Sequence, residues 1–355
     1  VDSLRGSSKE FQPPSSGAET SNGWVSAFTT NGFTHSAQGT ATQNSDGTLF
    51  RMNLETINDI DFSSGVTQEF LPRTGQKVFR ETDVFTTQNG GFYTWSFDYL
   101  VDSEEILQLL LRSAMEVDGT TGLISIAGNH GHSAQYVNGT NAPDFSLQVT
   151  LLSPDASETR LLHSAVVSEL TLSMDMGTNG GRLRASGTMY SGFRPVIGTN
   201  AVADGSTGSN TAFAFGLHDC HAVEVAAAQI TSKAFSVTIS NPATRVGFVN
   251  INSNDGEPED YVRDRVDVTG SISVKMDDTS VAQLPFFLAG TSKSILVGDE
   301  GTAGGGSSTN IFFEIPQAKY TGHNVDLGSE GGVFIELPFQ GTATGTQKLI
   351  NVKLT

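Results

Sequence analysis

The chain has 355 residues, a length that fits two domains of ordinary size or one large β domain. Its 20 Lys and Arg against 38 Asp and Glu give a formal net charge of -18, so no cationic excess exists to grip nucleic acid by its phosphates. The single cysteine, Cys220, excludes an intrachain disulfide framework and a Cys-rich zinc module. No apolar run reaches the ~18–20 residues of a membrane-spanning helix, and the first residues, VDSLRGSSKEFQPP, carry no apolar signal core.

Residues 1–24 mix Pro, Ser and Gly with little periodicity and read as an extended arm. It is either a disordered tail or an arm that docks on a neighbour, with Phe11, Trp24 and Phe28 as anchors. Residues 91–101 alternate Tyr93, Trp95, Phe97 and Tyr99 with Thr94, Ser96 and Asp98, a strand with an aromatic core face. Helix is scarce. The best segment is 103–115, with Asp102 as N-cap, Glu105 completing a capping box, and Val101 and Ile106 as the staple. Leu107, Leu110, Leu111 and Met115 supply its core stripe. Residues 166–176 alternate Leu170, Leu172, Met174 and Met176 with Glu169, Thr171, Ser173 and Asp175. The turn GTNGG then leads into 181–191, whose polar face carries Arg182, Arg184, Ser186 and Thr188. Residues 266–276 alternate Val266, Val268, Ile272, Val274 and Met276 with polar residues. Further strands are expected at 146–152, 233–240, 309–315, 331–340 and 348–355. A weaker helix spans 279–289, capped by Asp278, ended by Gly290, and broken or restarted at Pro285.

Strand, helix and hairpin recur in both halves, and the turns GTNGG and GSEGG match. The pattern suggests a duplicated domain, the alternative being two unrelated β domains. The expected organisation is an arm at 1–24, a first domain at 25–193, a linker at 194–211 and a second domain at 212–355.

Candidate chemistry is sparse. His130 and His132 form an HxH pair without a local third ligand, which reads as a solvated loop. His218-Asp219-Cys220-His221 holds nucleophile, base and orienter types, but adjacent residues point in different directions and triads draw on distant segments. The Gly-rich stretch at 298–308 precedes a strand, not the helix a phosphate cradle needs. The acidic run 252–260 lacks the spacing of a calcium loop. Asn138-Gly139-Thr140 is a formal glycosylation acceptor. No catalytic residues, metal ligands or cofactors are expected, and the chain reads as no enzyme.

FDYLVDSEEILQLLLRSAM, SAVVSELTLSMDMGTNGGRLRASGTMYSG, AFSVTISNPATRVGF and VDVTGSISVKMDDTSVAQLPFFLAG, with the run IFFEIPQAKYTGHNVDLGSEGGVFIELPFQGT, cover most of residues 90–350. In these patterns the chain resembles the phage tail tube proteins, the major tail proteins of long-tailed phages. The resemblance implies a mainly β fold: two tandem tail-tube-like β-sandwich domains, each with a flanking α-helix, whose inner sheets form part of a multi-chain β-barrel. It implies stacked rings, trimeric pseudo-hexamers for a duplicated chain, that conduct genomic DNA during ejection. The implied partners are other copies of the chain, a tape measure protein in the lumen, tail terminator and tail tip proteins, and DNA that passes without sequence-specific binding. Membrane insertion is not implied. The implied location is the virion, after assembly in the host cytoplasm.

On this reading Glu169, Thr171, Ser173 and Asp175 line the lumen and repel phosphates, while Arg182 and Arg184 pair with those acids. The alternative is that these residues face bulk solvent. Two other classes stay open: a capsid-decorating or surface-adhesive β module, and a β-sandwich hydrolase.

Overall fold

The computed structural model describes residues 25–30, 49–63, 66–71, 78, 81–88, 92–117, 124–127, 147–152, 156–198, 214–246, 260–263, 265–299, 311–327, 333–343 and 348–353. Phe11, Trp24, the His130–His132 pair, Asn138, the turn GSEGG and nearly all of the runs 252–260 and 298–308 lie outside them.

The first strands are β1 (Val25–Thr30), β2 (Leu49–Arg51), β3 (Leu54–Thr56) and β4 (Tyr93–Leu100). In β4, Tyr93, Trp95, Phe97 and Tyr99 are all buried, as the alternation predicts. Helix α1 (Glu104–Ala114) follows, then β5 (Ile124–Ala127), β6 (Leu147–Leu152), the 16-residue β7 (Arg160–Asp175), β8 (Arg184–Ser191) and β9 (Val196–Ile197). The second half holds β10 (Ala222–Val225), β11 (Ser232–Ser240), β12 (Asp267–Lys275), α2 (Asp278–Val281), α3 (Leu284–Ala289) and β13 (Lys293–Gly298). It closes with β14 (Phe312–Tyr320), β15 (Asn324–Asp326), β16 (Phe334–Gly341) and β17 (Lys348–Lys353).

The strands make one long antiparallel sheet with two flanking sheets. In the main sheet the order is β3, β4, β8, β7, β11, β12, β16 and then β14 with β15. Its apolar face carries Trp95, Leu172, Val237, Ile272 and Leu337, each fully buried. β7 serves two sheets. Its second half joins the main sheet, and its first half pairs with β6 and β9, extending to β1 and β2. Register shifts between Leu162 and Ala165 and between Val167 and Glu169 let it turn the corner. β14 plays the same part in the second half, pairing with β13 and β17 at its start and with β16 at its end.

The fold class expected from the resemblance is corrected here. The fold is mainly β with several sheets, but among the described residues none closes into a barrel and none is strongly curled. Among the described residues the pairings branch at β7 and β14 and do not return to their starting strand. Nor do the halves form two separate sandwich cores. The backbone ladder of β7 continues directly into β11 from Glu169–Ser240 to Asp175–Ala234, and one apolar cluster runs from Met52 to Val352. The physical reason is that the outer edge of β7 is filled within the chain, so the sheet extends instead of curving back.

α1 packs against β7 with Ile106, Leu107, Leu110 and Leu111 fully buried, a stripe worth roughly 1.5–3 kcal/mol per side chain in transfer terms. Its cap differs from the expected one. Ser103 is the N-cap, its side chain accepting from the Ile106 N–H. Asp102 instead accepts from the Tyr99 hydroxyl at 2.6 Å. That hydroxyl accepts in turn from the N–H groups of Asp102 (3.2 Å) and Ser103 (3.0 Å). An aromatic side chain from β4 therefore satisfies donors that the helix start leaves open. Burial, and then the neighbouring Asp102, push the Tyr99 phenol far above its usual range. Tyr99→Phe removes the acceptor of two main-chain donors, and we expect a loss of about 2 kcal/mol in urea unfolding. A change below about 0.5 kcal/mol, the scale of an ordinary surface substitution, contradicts this role.

At the other end of α1, Asn241 Nδ2 donates to the Ala114 carbonyl at 2.9 Å, and Asn241 N donates to Ser168 O at 2.7 Å. Ser113 Oγ accepts from Val167 N at 3.0 Å. These bonds tie the helix to the bend of β7 and to the end of β11.

The second helical segment is split. Asp277, one residue earlier than expected, caps α2 by accepting from Ser280 N at 2.9 Å. Pro285 falls in the first turn of α3, where its missing N–H costs nothing. Gly290 ends α3 with φ of 62°. Met176 and Met276, expected in the core stripes, are half-exposed because β7 ends at Asp175 and β12 at Lys275.

Candidate functional site: the polar face of the main sheet

Each long strand of the main sheet buries alternate residues and leaves the others on one continuous polar face. The register sets these residues in rows across both halves. One row runs Asp98, Ser186, Thr171, Thr238, Thr269 and Gln340. The next runs Arg184, Ser173, Ser236, Ser271 and Pro338. Another runs Ser96, Thr188, Glu169, Ser240 and Asp267.

Hydroxyls dominate, and neighbouring ones bond to each other. Thr171 Oγ1 and Thr238 Oγ1 are 2.8 Å apart, Ser236 Oγ and Ser271 Oγ 3.2 Å, and Ser96 Oγ and Thr188 Oγ1 3.3 Å. Such cross-strand pairs stabilise the ladder by roughly 0.2–1 kcal/mol each.

The sequence-predicted residues share this face. Glu169 is exposed, and Thr171, Ser173 and Asp175 are partly exposed. Asp175 also closes the GTNGG turn, its Oδ1 accepting from Gly177 N at 2.8 Å, while Gly180 and Gly181 supply positive φ of 63° and 77°. The arginine pairing differs from expectation. Arg184 pairs with Glu55 and, at 3.6 Å, with Asp98, not with Glu169 or Asp175. Ser173 lies opposite Arg184 in the register, so Glu169 is four residues along the strand, about 13 Å away. β3, with Glu55, covers that corner instead. The Arg182 main chain forms a bridge with Gly216. Phe28 sits within β1, opposite Phe50 of β2 and Val149 of β6.

Thr238, Ser236, Thr269 and Ser271 complete the rows. The sequence shows the alternation of Thr269 and Ser271 and places Ser236 and Thr238 in an expected strand, but it does not give their neighbours, because the joining of β7 to β11 is non-local.

The His218–His221 stretch disperses as expected. Asp219 Oδ2 accepts from Gly216 N at 3.0 Å and lies 3.3 Å from His218 Nε2. His221 Nδ1 meets the buried Asp299 Oδ1 at 2.5 Å. The Cys220 thiol is pushed up to about 12, first by burial and then by Asp219 and Asp299. It is therefore a neutral thiol, the opposite of an activated nucleophile.

Among the described residues, no group of three or more His, Cys, Asp or Glu side chains gathers as metal ligands would, and no helix is long and apolar enough to cross a membrane. Apolar side chains are exposed at two places near the end of the main sheet. Val325 lies within β15 and Leu327 directly after it, with Leu327 80 % exposed. α3 buries none of its residues and shows Leu288 at 74 %. No protein-family model matches the chain, and no curated protein matches its sequence.

Proposed function

We propose that this chain is a structural virion protein, without enzymatic activity, that polymerises into stacked rings forming a phage tail tube. The tube is a conduit for genomic DNA during ejection. One observation carries the reading: the polar face of the main sheet runs unbroken through both halves and presents hydroxyls with scattered charges, among which the carboxylates Asp98, Glu169, Asp175, Asp267 and Glu336 outnumber the cations Arg184, Lys275 and Lys319. A surface that DNA must pass needs few cations, because each Lys or Arg that neutralises a phosphate adds binding free energy that has to be broken again. Glu169, Thr171, Ser173 and Asp175 face the lumen in this reading, with Arg184 neutralised by Glu55 and Asp98.

Two further features support it. The strand order β3, β4, β8, β7 is followed by β11, β12, β16, β14, with the long bent strand last in each set and a helix after β4 and after β12. That is the order of a duplicated unit, and three chains then supply six copies per ring. The exposed apolar residues at β15 and α3 supply contact surface for further copies. The tape measure, terminator and tip proteins of a tail are the other partners, and the virion is the location.

Negative-stain images of the concentrated protein test this. Tubes or stacked rings are expected. Single particles at every concentration and salt condition contradict it and favour a decorating or surface module.

A further inference from the structure

A cavity of about 370 Å³ opens beside β9, lined by Phe62, Tyr93, Arg194, Pro195 and Ile197. Part of its lining is aromatic: the Phe62 and Tyr93 rings meet edge to face at 6.3 Å. Arg160, paired with Asp59, lies over the Phe62 ring at 5.7 Å. On the rim, the Arg194 side chain is exposed and Ile197 is 57 % exposed. Two aromatic rings, a proline and an exposed arginine lining one cavity suit an aromatic side chain next to a carboxylate.

The 24 residues before β1 contain one such pair, Glu10-Phe11, followed by Gln12-Pro13-Pro14. They join the fold on the same sheet. Ser26 is opposite Leu151, Leu151 opposite Arg160, and Arg160 opposite Ile197. Three strand spacings put Ser26 about 14 Å from Ile197. Fifteen residues separate Phe11 from Ser26, and a flexible linker of that length has a root-mean-square span of roughly 20 Å. The linker and the distance match.

We propose that this cavity is the seat of Phe11 from the chain's own N-terminal segment, with Glu10 meeting Arg194. The two prolines favour an extended backbone that loses little entropy on docking. Tethering supplies an effective concentration of about 1 mM, so even a site with a dissociation constant of roughly 50 μM is occupied about twenty to one in the free subunit. The inference concerns the subunit itself and stands whether or not the chain forms tubes.

The test uses full-length chains at concentrations where they stay single and a fluorescent synthetic peptide of residues 7–16. The Phe11→Asp chain, its cavity vacated, is expected to bind the peptide at about 10–100 μM, and the unaltered chain about twentyfold more weakly because its own segment competes. Adding Ile197→Asp, an exposed site, abolishes binding while the circular dichroism spectrum stays unchanged. Arg194→Glu in the Phe11→Asp chain weakens binding, and a peptide carrying Glu10→Lys restores it. No binding to the Phe11→Asp chain overturns the proposal. Equal binding to both chains also overturns it, because the segment then seats elsewhere, as on a neighbouring copy.

Discussion

Gly187→Ala is expected to lower the stability of the fold by several kcal/mol. A Cβ at this position sits 2.3 Å from the Glu169 carbonyl oxygen and 3.0 Å from Cζ of Phe97. The oxygen belongs to the main chain of β7 and cannot withdraw without opening the β7–β8 ladder. The Phe97 ring cannot withdraw either, since it stacks on the buried Trp95 at 5.5 Å. Overpacking usually costs 1–3 kcal/mol, and here a ladder distortion adds to it, so roughly 3–5 kcal/mol is expected. That is a large part of a typical domain's total of about 5–15 kcal/mol. Gly270→Ala should behave alike, with Ser236 O at 2.3 Å and Phe339 Cζ at 2.5 Å. Gly177→Ala is the control. Its nearest neighbour, at 3.3 Å, is a side-chain oxygen of Asp175 in an exposed turn. Soluble yield and the urea midpoint decide the matter. A Gly187→Ala chain with the unaltered midpoint refutes the packing of the main sheet described above.

The second large effect concerns charge on the polar face. The double substitution Glu169→Lys with Asp175→Lys replaces carboxylates with cations on two rows of the sheet. Both positions lie on the polar face and neither has an arginine partner among the described ion pairs; Asp175→Lys also removes the acceptor of Gly177 N, so folding loses about 1 kcal/mol and the chain stays folded. In a tube built of many copies the effect on DNA is large. With 6–10 phosphates neutralised, affinity rises from negligible to a level that falls by roughly 10³–10⁵ between 50 and 200 mM salt. Co-sedimentation should show the unaltered tubes free of DNA at low salt and the variant tubes loaded with it. Variant tubes that ignore DNA at low salt sink the idea that this face meets DNA.

How much of this was legible in the sequence follows from how local each feature is. β4, β7, β8 and β12 announce themselves through strict alternation, and the buried aromatic face of β4 follows from period two alone. α1 was legible through its apolar stripe, but not its cap, because the Tyr99 hydroxyl that takes over Asp102 comes from a neighbouring strand. The pairing of β7 with β11 was not legible at all. It joins residues about 65 apart across the expected linker, and alternation gives a strand its faces but not its partner. That one pairing turns two expected sandwiches into a continuous sheet and removes the barrel inferred from resemblance. The candidate site was half legible. Glu169, Thr171, Ser173 and Asp175 were read from one strand, whereas the hydroxyl rows through Thr238 and Ser271 exist only once the strands are aligned.

The central claim is that the polar face of the main sheet lines a conduit. Thiol labelling of Thr171→Cys and Ser236→Cys chains tests it most directly, because both positions lie at the middle of that face. The native Cys220 thiol, pushed up to about 12 by burial, adds little background. Free subunits should react with both a small maleimide and a bulky polymer-tethered one. Assembled tubes should still admit the small reagent and exclude the bulky one. Equal reaction of free and assembled chains with the bulky reagent would place this face on the outside and contradict the account.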